Sequence, residues 1–155
     1  MDQDLIERYG SGGPLVREAI DGLSHAELNA DPVPGTWSIQ EIVLHLMDSD
    51  LIGADRMKRV AAEEHPTLIG YNETLFAKSL YAPEIDAALA AEIFSLNRRM
   101  TAAMLGRLPD SALARTGYHN EHGDMTLEQF LNNYIEHLDH HLKFIREKRR
   151  LLGKA

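Results

Sequence analysis

Cysteine is absent from this chain of 155 residues. Without it the protein has no disulfide framework, no catalytic thiol of its own and no thiolate ligand for a metal, and nothing requires an oxidising compartment. Any metal ion that the protein binds must therefore be held by nitrogen and oxygen ligands.

Long apolar runs are missing as well. The longest apolar stretches, such as residues 87–91, have about five residues, whereas a helix that crosses a bilayer needs about 20. The chain also begins with acidic residues at positions 2 and 4 and lacks the basic and apolar regions of a secretory signal peptide. We therefore expect a cytoplasmic protein that does not bind membranes.

Positive charge is scarce. The 16 Lys and Arg residues are outnumbered by 24 Asp and Glu residues, so the net charge is −8 with neutral histidine. This balance disfavours nucleic acid as a partner, because sequence-independent affinity comes mainly from Lys and Arg that neutralise phosphates. The remaining composition, 44% hydrophobic and 26% charged, is that of an ordinary globular protein, and we expect one domain spanning residues 1–155.

Apolar residues recur with the 3.6-residue period of α-helices along almost the whole chain. The sequence therefore predicts an all-α protein, a four-helix bundle with a short N-terminal helical segment. The short segment ends at the glycine-rich residues 10–13, and the main helices are predicted from 14 to about 23, from 39 to about 63, from near 83 to 108 and from 127 to about 150. Capping boxes are predicted to begin at Ser24, Ser38 and Thr126. In the third of these helices, the apolar residues 85, 89, 93, 96, 100 and 104 fall on one stripe.

Two stretches between the helices lack a regular pattern. Residues 67–82 are predicted as a long loop with one helical turn, whose aromatic residues Tyr71, Phe76 and Tyr81 fold over the core. Residues 110–125 are predicted as a polar loop. We expect any pocket to be built by residues 64–83 and 110–125.

Eight histidines remain as the unusual feature of the composition. His137 and His141 lie four residues apart in the last predicted helix, so their rings project from one face, about 5–6 Å apart at Cβ. This spacing recurs among metal ligands, but on its own it is more often that of half-buried histidines hydrogen-bonded to neighbouring helices. His45, at the edge of the apolar face of the second helix, supplies a candidate third ligand. Three such imidazoles leave open the coordination positions that a catalytic divalent ion needs.

The other histidines are weaker candidates. His140 points toward the polar face of its helix, and His25 and His65, at helix boundaries, are expected to be solvated. His119 and His122 either line the mouth of a pocket or form a second metal site, although a polar loop is the simpler interpretation. Because metal ligands must be neutral imidazoles, binding at a three-histidine site is expected to weaken below about pH 6.

Two motifs resemble those of a known family. The stretch from Trp37 to Asp48 has the pattern W-S-x-x-E-x-x-x-H-L-x-D, and the stretch from His137 to His141 has the pattern H-x-x-H-H, about ninety residues later. Through these motifs most of the chain resembles the DinB superfamily, the DinB/YfiT-like metalloenzymes. The resemblance implies a four-helix bundle, frequent homodimers and a divalent ion, usually nickel or zinc. It also implies that three histidines hold the ion, and these fall on His45, His137 and His141.

The first motif contains further polar and aromatic residues. Trp37 is expected to be a packing anchor at the entry of its helix rather than a reactive group. Asp48 and Asp50 match acidic positions of the family, but both lie toward the polar side relative to His45. We expect them to support a ligand or to lie at the surface.

Some members of the DinB superfamily are S-transferases and isomerases that use low-molecular-weight thiols such as bacillithiol, mycothiol or glutathione. The resemblance therefore implies a metal-dependent enzyme in which the ion binds a small thiol, lowers its pKa and delivers thiolate to an electrophile. Because the chain has no cysteine, that thiol must be a co-substrate that acts on the small-molecule substrate.

Two alternatives stay open. The first is a hydrolase with a metal-bound water, which needs a general base such as Glu41, Asp48, His119 or His122. The second is a non-catalytic, metal-stabilised bundle that binds a ligand or a partner. A structural metal site normally has four protein ligands, and only three candidates are present here.

Overall fold

The computed structural model describes residues 3–154; Met1 and Asp2, on which the signal-peptide prediction partly rests, and Ala155 lie outside them. The described chain forms the following elements in order: α1 (Gln3–Ser11), α2 (Leu15–Ile20), α3 (His25–Leu28), α4 (Ile39–Ala62), β1 (Thr67–Leu68), α5 (Glu73–Ser79), α6 (Ala87–Leu105), β2 (Thr116–His119), β3 (Gly123–Thr126) and α7 (Leu127–Leu151). Two 3₁₀ turns, Ala82–Glu84 and Asp110–Ala114, flank α6. Within residues 3–154, no helix is long and apolar enough to cross a membrane.

A four-helix bundle is formed by α4, α6, α7 and a first arm made of α1 and α2, so the predicted architecture is confirmed. The first arm breaks between α1 and α2, as the glycine-rich sequence predicts. At Gly12 a Cβ atom would come within 2.7 Å of Leu138 Cδ2 and 2.8 Å of Arg98 Nη1. A larger residue at this position would displace side chains of α6 and α7, and glycine lets the arm cross both helices closely.

Helix starts follow the predicted capping chemistry. Ser24, Ser38 and Thr126 each accept a hydrogen bond from the backbone N–H three residues later, and the side chains of Glu27, Glu41 and Gln129 reach back to complete all three capping boxes. These caps fix where α4 and α7 begin and hence which of their residues face each other.

α6 starts later and ends earlier than predicted. Asp86 accepts hydrogen bonds from the backbone N–H groups of Ala88 and Leu89, at 2.8 Å and 3.2 Å, and so caps a helix that runs from Ala87 to Leu105. The residues around Pro83 form a separate 3₁₀ turn. Pro83 thus belongs to the turn before the helix, and Asp86, three residues later, caps the helix itself.

The apolar stripe predicted on this helix faces solvent. Leu89, Leu96 and Met100 are 53%, 46% and 62% exposed. The buried face of α6 is instead made largely of small residues and consists of Ala87, Ala90, Ala91, Phe94, Arg98, Thr101 and Leu105. These small side chains let α6 approach α4 closely.

A three-stranded sheet lies where two irregular loops were predicted, so the chain is mainly but not entirely α-helical. β1 pairs in parallel with β2, and β2 pairs antiparallel with β3. The register sets Leu68 opposite His119 and His119 opposite Gly123. The sheet therefore joins the two loop regions, 64–83 and 110–125, beside the end of α4.

A buried ion pair joins α4 to α6. Asp50 is 2% exposed and Arg98 1% exposed, and Arg98 Nε donates to Asp50 Oδ1 at 2.9 Å. The Asp50 carboxylate also accepts from Asn97 Nδ2 at 2.7 Å and from the Tyr9 hydroxyl at 3.4 Å, and Arg98 Nη2 donates to the carbonyl of Tyr134 at 2.6 Å. The prediction that Asp50 supports a ligand or lies at the surface is wrong, because this carboxylate is a structural anchor of the core.

Candidate metal centre

Three histidine side chains converge between α4 and α7. His45 Nε2 and His137 Nε2 are 2.9 Å apart, and the ring centroids of the three pairs of His45, His137 and His141 lie 4.6–4.9 Å apart. One nitrogen of each ring can be chosen so that all three lie within 4.8 Å of one another. The structure thus brings together the three residues that the helical spacing singled out.

The environment of the three rings favours neutral imidazoles. Burial, reinforced by the neighbouring histidines, lowers the pKa of His45 to about 4, of His137 to about 3 and of His141 to about 4. His141 Nδ1 is buried and has no hydrogen-bond partner among residues 3–154. The facing Nε2 atoms of His45 and His137 need a proton or a cation between them, and the buried Nδ1 of His141 also lacks a partner among these residues. This set of nitrogen donors suits a divalent ion that prefers nitrogen ligands.

These lowered pKa values predict how the metal-free protein responds to acid. In the unfolded chain the three histidines bind protons near pH 6.5, whereas in the folded chain they do so only near pH 3–4. Because the unfolded state binds more protons between these values, stability is expected to fall as the pH drops from about 6.5 to about 4. The same burial moves the expected loss of metal below the pH of about 6 predicted for ordinary imidazoles.

The measurement is urea unfolding of chelator-treated protein across this pH range, with His25→Ala as a control that keeps the three rings. His25 is exposed on α3 and contacts Asn29 rather than the three rings, so its removal should leave the pH dependence unchanged. A stability that stays constant from pH 6.5 to 4.5 would contradict neutral histidines at this centre.

α5 and the segment just before it supply polar groups beside His45. His45 Nδ1 lies 3.5 Å from Glu73 Oε2 and 3.4 Å from the Tyr71 hydroxyl. A hydrogen bond from Nδ1 to either acceptor leaves the Nε2 lone pair directed at the other two histidines, which is the usual support of a metal-bound histidine. The sequence predicted an aromatic cover here but gave no sign that Glu73 would reach the centre.

Trp37 closes the other side of the centre. Its ring centroid lies 4.8 Å from that of His45 and 6.4 Å from that of His141, with the second pair nearly parallel at 15°. Lys148 Nζ donates to Thr36 Oγ1 at 2.7 Å and so holds the segment before α4 against α7. Trp37 is a packing anchor, as predicted, and in this position it also restricts the rings of two candidate ligands.

Two cavities between the helices and the loops each have one of the three histidines in their lining. A narrow one of ≈ 20 Å³ lies beneath α5, and its lining includes His45, Asp48, Tyr71, Glu73 and Phe76. A wider one of ≈ 150 Å³ lies between α4, α7 and the sheet, and its lining includes Ser49, Arg56, His119, His122, Tyr134 and His137. Residues 64–83 and 110–125 therefore do contribute pocket walls, as expected.

The remaining candidate residues lie in different environments. Asp48 is half-buried and lines the narrow cavity, where burial raises the pKa of its carboxyl group. Glu41 is engaged in the capping box of α4, which removes it as a general base. His119 is a buried strand residue, 2% exposed, and not part of a solvated loop, whereas His140 is exposed, as predicted.

Comparison with known proteins assigns the chain to a family. The sequence profile described as "DinB superfamily" matches residues 13–145. The chain belongs to the DinB superfamily. This membership, together with the bundle, agrees with the family resemblance of the two histidine motifs.

Relatives of this DinB chain are described as metal-dependent hydrolases. "Putative metal-dependent hydrolase YfiT" from Bacillus subtilis is 29% identical over 140 residues, covering 89% of this chain and 78% of the relative. "Putative metal-dependent hydrolase BH0277" from Halalkalibacterium halodurans is 30% identical over 126 residues, covering 81% of this chain and 72% of the relative.

A solved structure has the same fold. The structure of YfiT from Bacillus subtilis, described as having "an unusual four-helix bundle topology", matches with a TM-score of 0.91 at 24% identity and covers 98% of this chain and 87% of that one. The agreement extends over nearly the whole DinB chain and hence includes the elements that surround the three histidines.

Proposed function

We propose that this DinB protein is a divalent-metal-dependent enzyme in which His45, His137 and His141 hold the ion, with nickel or zinc as its identity. The observation that carries the proposal is the convergence of three neutral imidazoles at a point with cavities on two sides. A bound ion would lower the pKa of the nucleophile that it holds. The descriptions of the relatives as metal-dependent proteins support this assignment.

The nucleophile that we propose is a low-molecular-weight thiol, and the reaction is transfer of that thiol to an electrophilic substrate. The chain contains no cysteine, so the sulfur must enter as a co-substrate. Glu73 and Tyr71 hold the ring of His45, and Trp37 excludes water from one side. The half-buried Asp48 lies beside His45, where its carboxyl group is placed to take up the proton that the thiol releases.

Hydrolysis is the second candidate function. It is favoured by the word "hydrolase" in the descriptions of the relatives and by the same Asp48 carboxyl group, whose raised pKa suits a general base. In this case a water molecule takes the place of the thiol, and the rest of the centre is used in the same way.

Elemental analysis and two assays test these proposals. Protein purified without chelators is expected to contain nickel or zinc, and the metal-loaded protein is expected to consume bacillithiol, mycothiol or glutathione in the presence of an electrophile such as 1-chloro-2,4-dinitrobenzene. Parallel assays with nitrophenyl esters detect hydrolysis. Protein without metal would contradict the enzyme proposal, whereas stoichiometric metal without turnover in either assay would favour the non-catalytic bundle.

We also propose that two copies pair through the exposed stripe of α6. The stripe forms one wall of a groove of ≈ 580 Å³ that Leu51 of α4 also lines, and apolar side chains repeated along a helix face are typical of partner surfaces. A charge at Leu96 should then convert a dimer into a monomer in light scattering. Leu151→Glu, at a similarly exposed position of α7, should leave the dimer intact, and an unchanged dimer in Leu96→Glu would contradict the proposal.

A further inference from the structure

An arginine without a carboxylate partner lies in the wall of the wider cavity. Arg56 donates from Nη1 to the Tyr134 hydroxyl at 3.1 Å and from Nη2 to the carbonyl of Ile69 at 2.7 Å. Its Nε is buried and has no hydrogen-bond partner within residues 3–154. Among the same residues no acid pairs with it, whereas Arg59, one turn along α4, contacts Asp55 at 2.7 Å and Glu63 at 3.4 Å.

His119 adds a donor of fixed orientation to this cavity. Its Nδ1 accepts a hydrogen bond from the backbone N–H of Glu121 at 3.2 Å. The hydrogen of a neutral ring must then lie on Nε2, and this Nε2 has no other partner in the described chain. A ring N–H donor and a guanidinium without a salt bridge to any described residue at one cavity both favour an acceptor that carries negative charge.

A second metal ion would fit this cavity poorly, although His119, Glu121 and His122 have ligand atoms close together. The lone pair of His119 Nδ1 is occupied by a backbone N–H group. The rings of His119 and His122 are stacked, with centroids 4.7 Å apart and planes 29° apart. In stacked rings the in-plane lone pairs run side by side and do not converge on one point, and the charge of Arg56 repels a cation.

We propose that the cavity walled by Arg56 and His119 binds a carboxylate group of the thiol co-substrate. This inference rests on the proposed function for the statement that the same molecule also reaches the three histidines. One guanidinium matches a single negative charge, and a cavity of ≈ 150 Å³ accepts a group of carboxylate size.

The separation of His45 and Arg56 along α4 sets an upper limit on the length of the ligand. His45 and Arg56 are eleven residues apart on α4, or about 17 Å along the axis at about 1.5 Å per residue. The arginine side chain shortens this distance because helical side chains lean toward the N-terminus. His137 and Arg56 both line the cavity, so an extended molecule can place sulfur at one end and carboxylate at the other.

The test compares the binding of ω-mercapto acids, from mercaptoacetate to 6-mercaptohexanoate, with that of ω-mercapto alcohols of equal length. The series varies the length of the ligand, and each acid differs from its alcohol in the negative charge. With metal-loaded protein, calorimetry is expected to show that the acid binds at least about tenfold more tightly than the alcohol at the best length. The ratio should fall to about one in Arg56→Gln and persist in Arg59→Gln, which removes a neighbouring positive charge at the surface. Arg56→Lys should keep part of the preference. Equal binding of acids and alcohols at every length would overturn the proposal.

A measurement on the wild-type protein does not depend on the stability of these variants. Sodium propionate should shift the NMR signal of the Arg56 Nε–H group in the metal-free protein, and neutral propionamide should not. If propionate binds but the thiol group adds no affinity in metal-loaded protein, the carboxylate site stands and thiol activation fails. If propionate leaves this signal unchanged, or a second equivalent of metal binds and is lost in His119→Ala, the carboxylate site is wrong.

Discussion

Replacing His137 with alanine is expected to lower the affinity for nickel or zinc by more than about a hundredfold. Losing a group that only supports a ligand typically costs about 10–100-fold. His137 is itself a candidate ligand, whose Nε2 lies 2.9 Å from Nε2 of His45 and whose ring contacts that of His141. The variant leaves two imidazoles, which is too few for a catalytic site of this type. Competition with a chromophoric chelator measures the affinity, and turnover should be lost with the metal.

His140→Ala is the matched control for this variant, because His140 lies on the same turns of α7 but is exposed. It should keep full metal content and activity. Circular dichroism should show unchanged helicity in both variants, since the capping boxes and the core of α7 remain. Metal retention in His137→Ala would contradict the assignment of the ligands, and collapse of its fold would instead favour a structural role for the metal.

The candidate ligands could be predicted because each depends on one helix and a regular spacing. His137 and His141 share a helix face whatever surrounds α7, and the capping boxes at Ser38 and Thr126 fix how α4 and α7 begin. With both helices placed in a bundle, the position of His45 at the edge of the apolar face is enough to bring the third ring close.

The walls of the two cavities could not be predicted in the same way. Glu73 reaches His45 only because α5 packs on α4. His119 is buried by two-residue pairing between β1 and β2, and strands of two to four residues are too short to show alternation in sequence. These side chains are placed by contacts between segments that are distant in the sequence, so no local sequence pattern predicts their positions.

The buried ion pair left a signal that is visible in the sequence. Leu46, Asp50, Gly53 and Met57 follow the spacing i, i+4, i+7, i+11 and are all buried, which places the acid on the core face of α4. Phe94, Arg98, Thr101 and Leu105 have the same spacing on α6 and are also buried. Each of these two faces carries one charged residue among uncharged ones, and the two charges have opposite signs. This pattern predicts that the charges pair, because burying an unpaired charge is too costly.

Replacing Arg98 with methionine is expected to lower the free energy of unfolding by about 3–5 kcal/mol, the range found when one partner of a buried ion pair is removed. The change leaves the Asp50 carboxylate in the core with Asn97 and Tyr9 as its remaining donors. It also removes the stacking of the guanidinium on the rings of Tyr9 and Phe94, whose centroids lie 4.5 Å and 4.7 Å from Arg98 Cζ. Urea unfolding of the metal-free protein near pH 7 measures the loss.

The double variant Arg98→Met, Asp50→Leu separates the cost of an orphaned charge from the value of the pair. Replacing both partners by apolar groups of similar size is often neutral or stabilising, so the double variant should recover most of the stability that the single variant loses. Arg59→Met, which breaks surface contacts to Asp55 and Glu63, should cost less than about 1 kcal/mol. If the double variant is as unstable as Arg98→Met, the loss arises from the bond of Arg98 to the carbonyl of Tyr134 and from its ring contacts. Arg98 would then hold α6 against α7, the helix that carries His137 and His141.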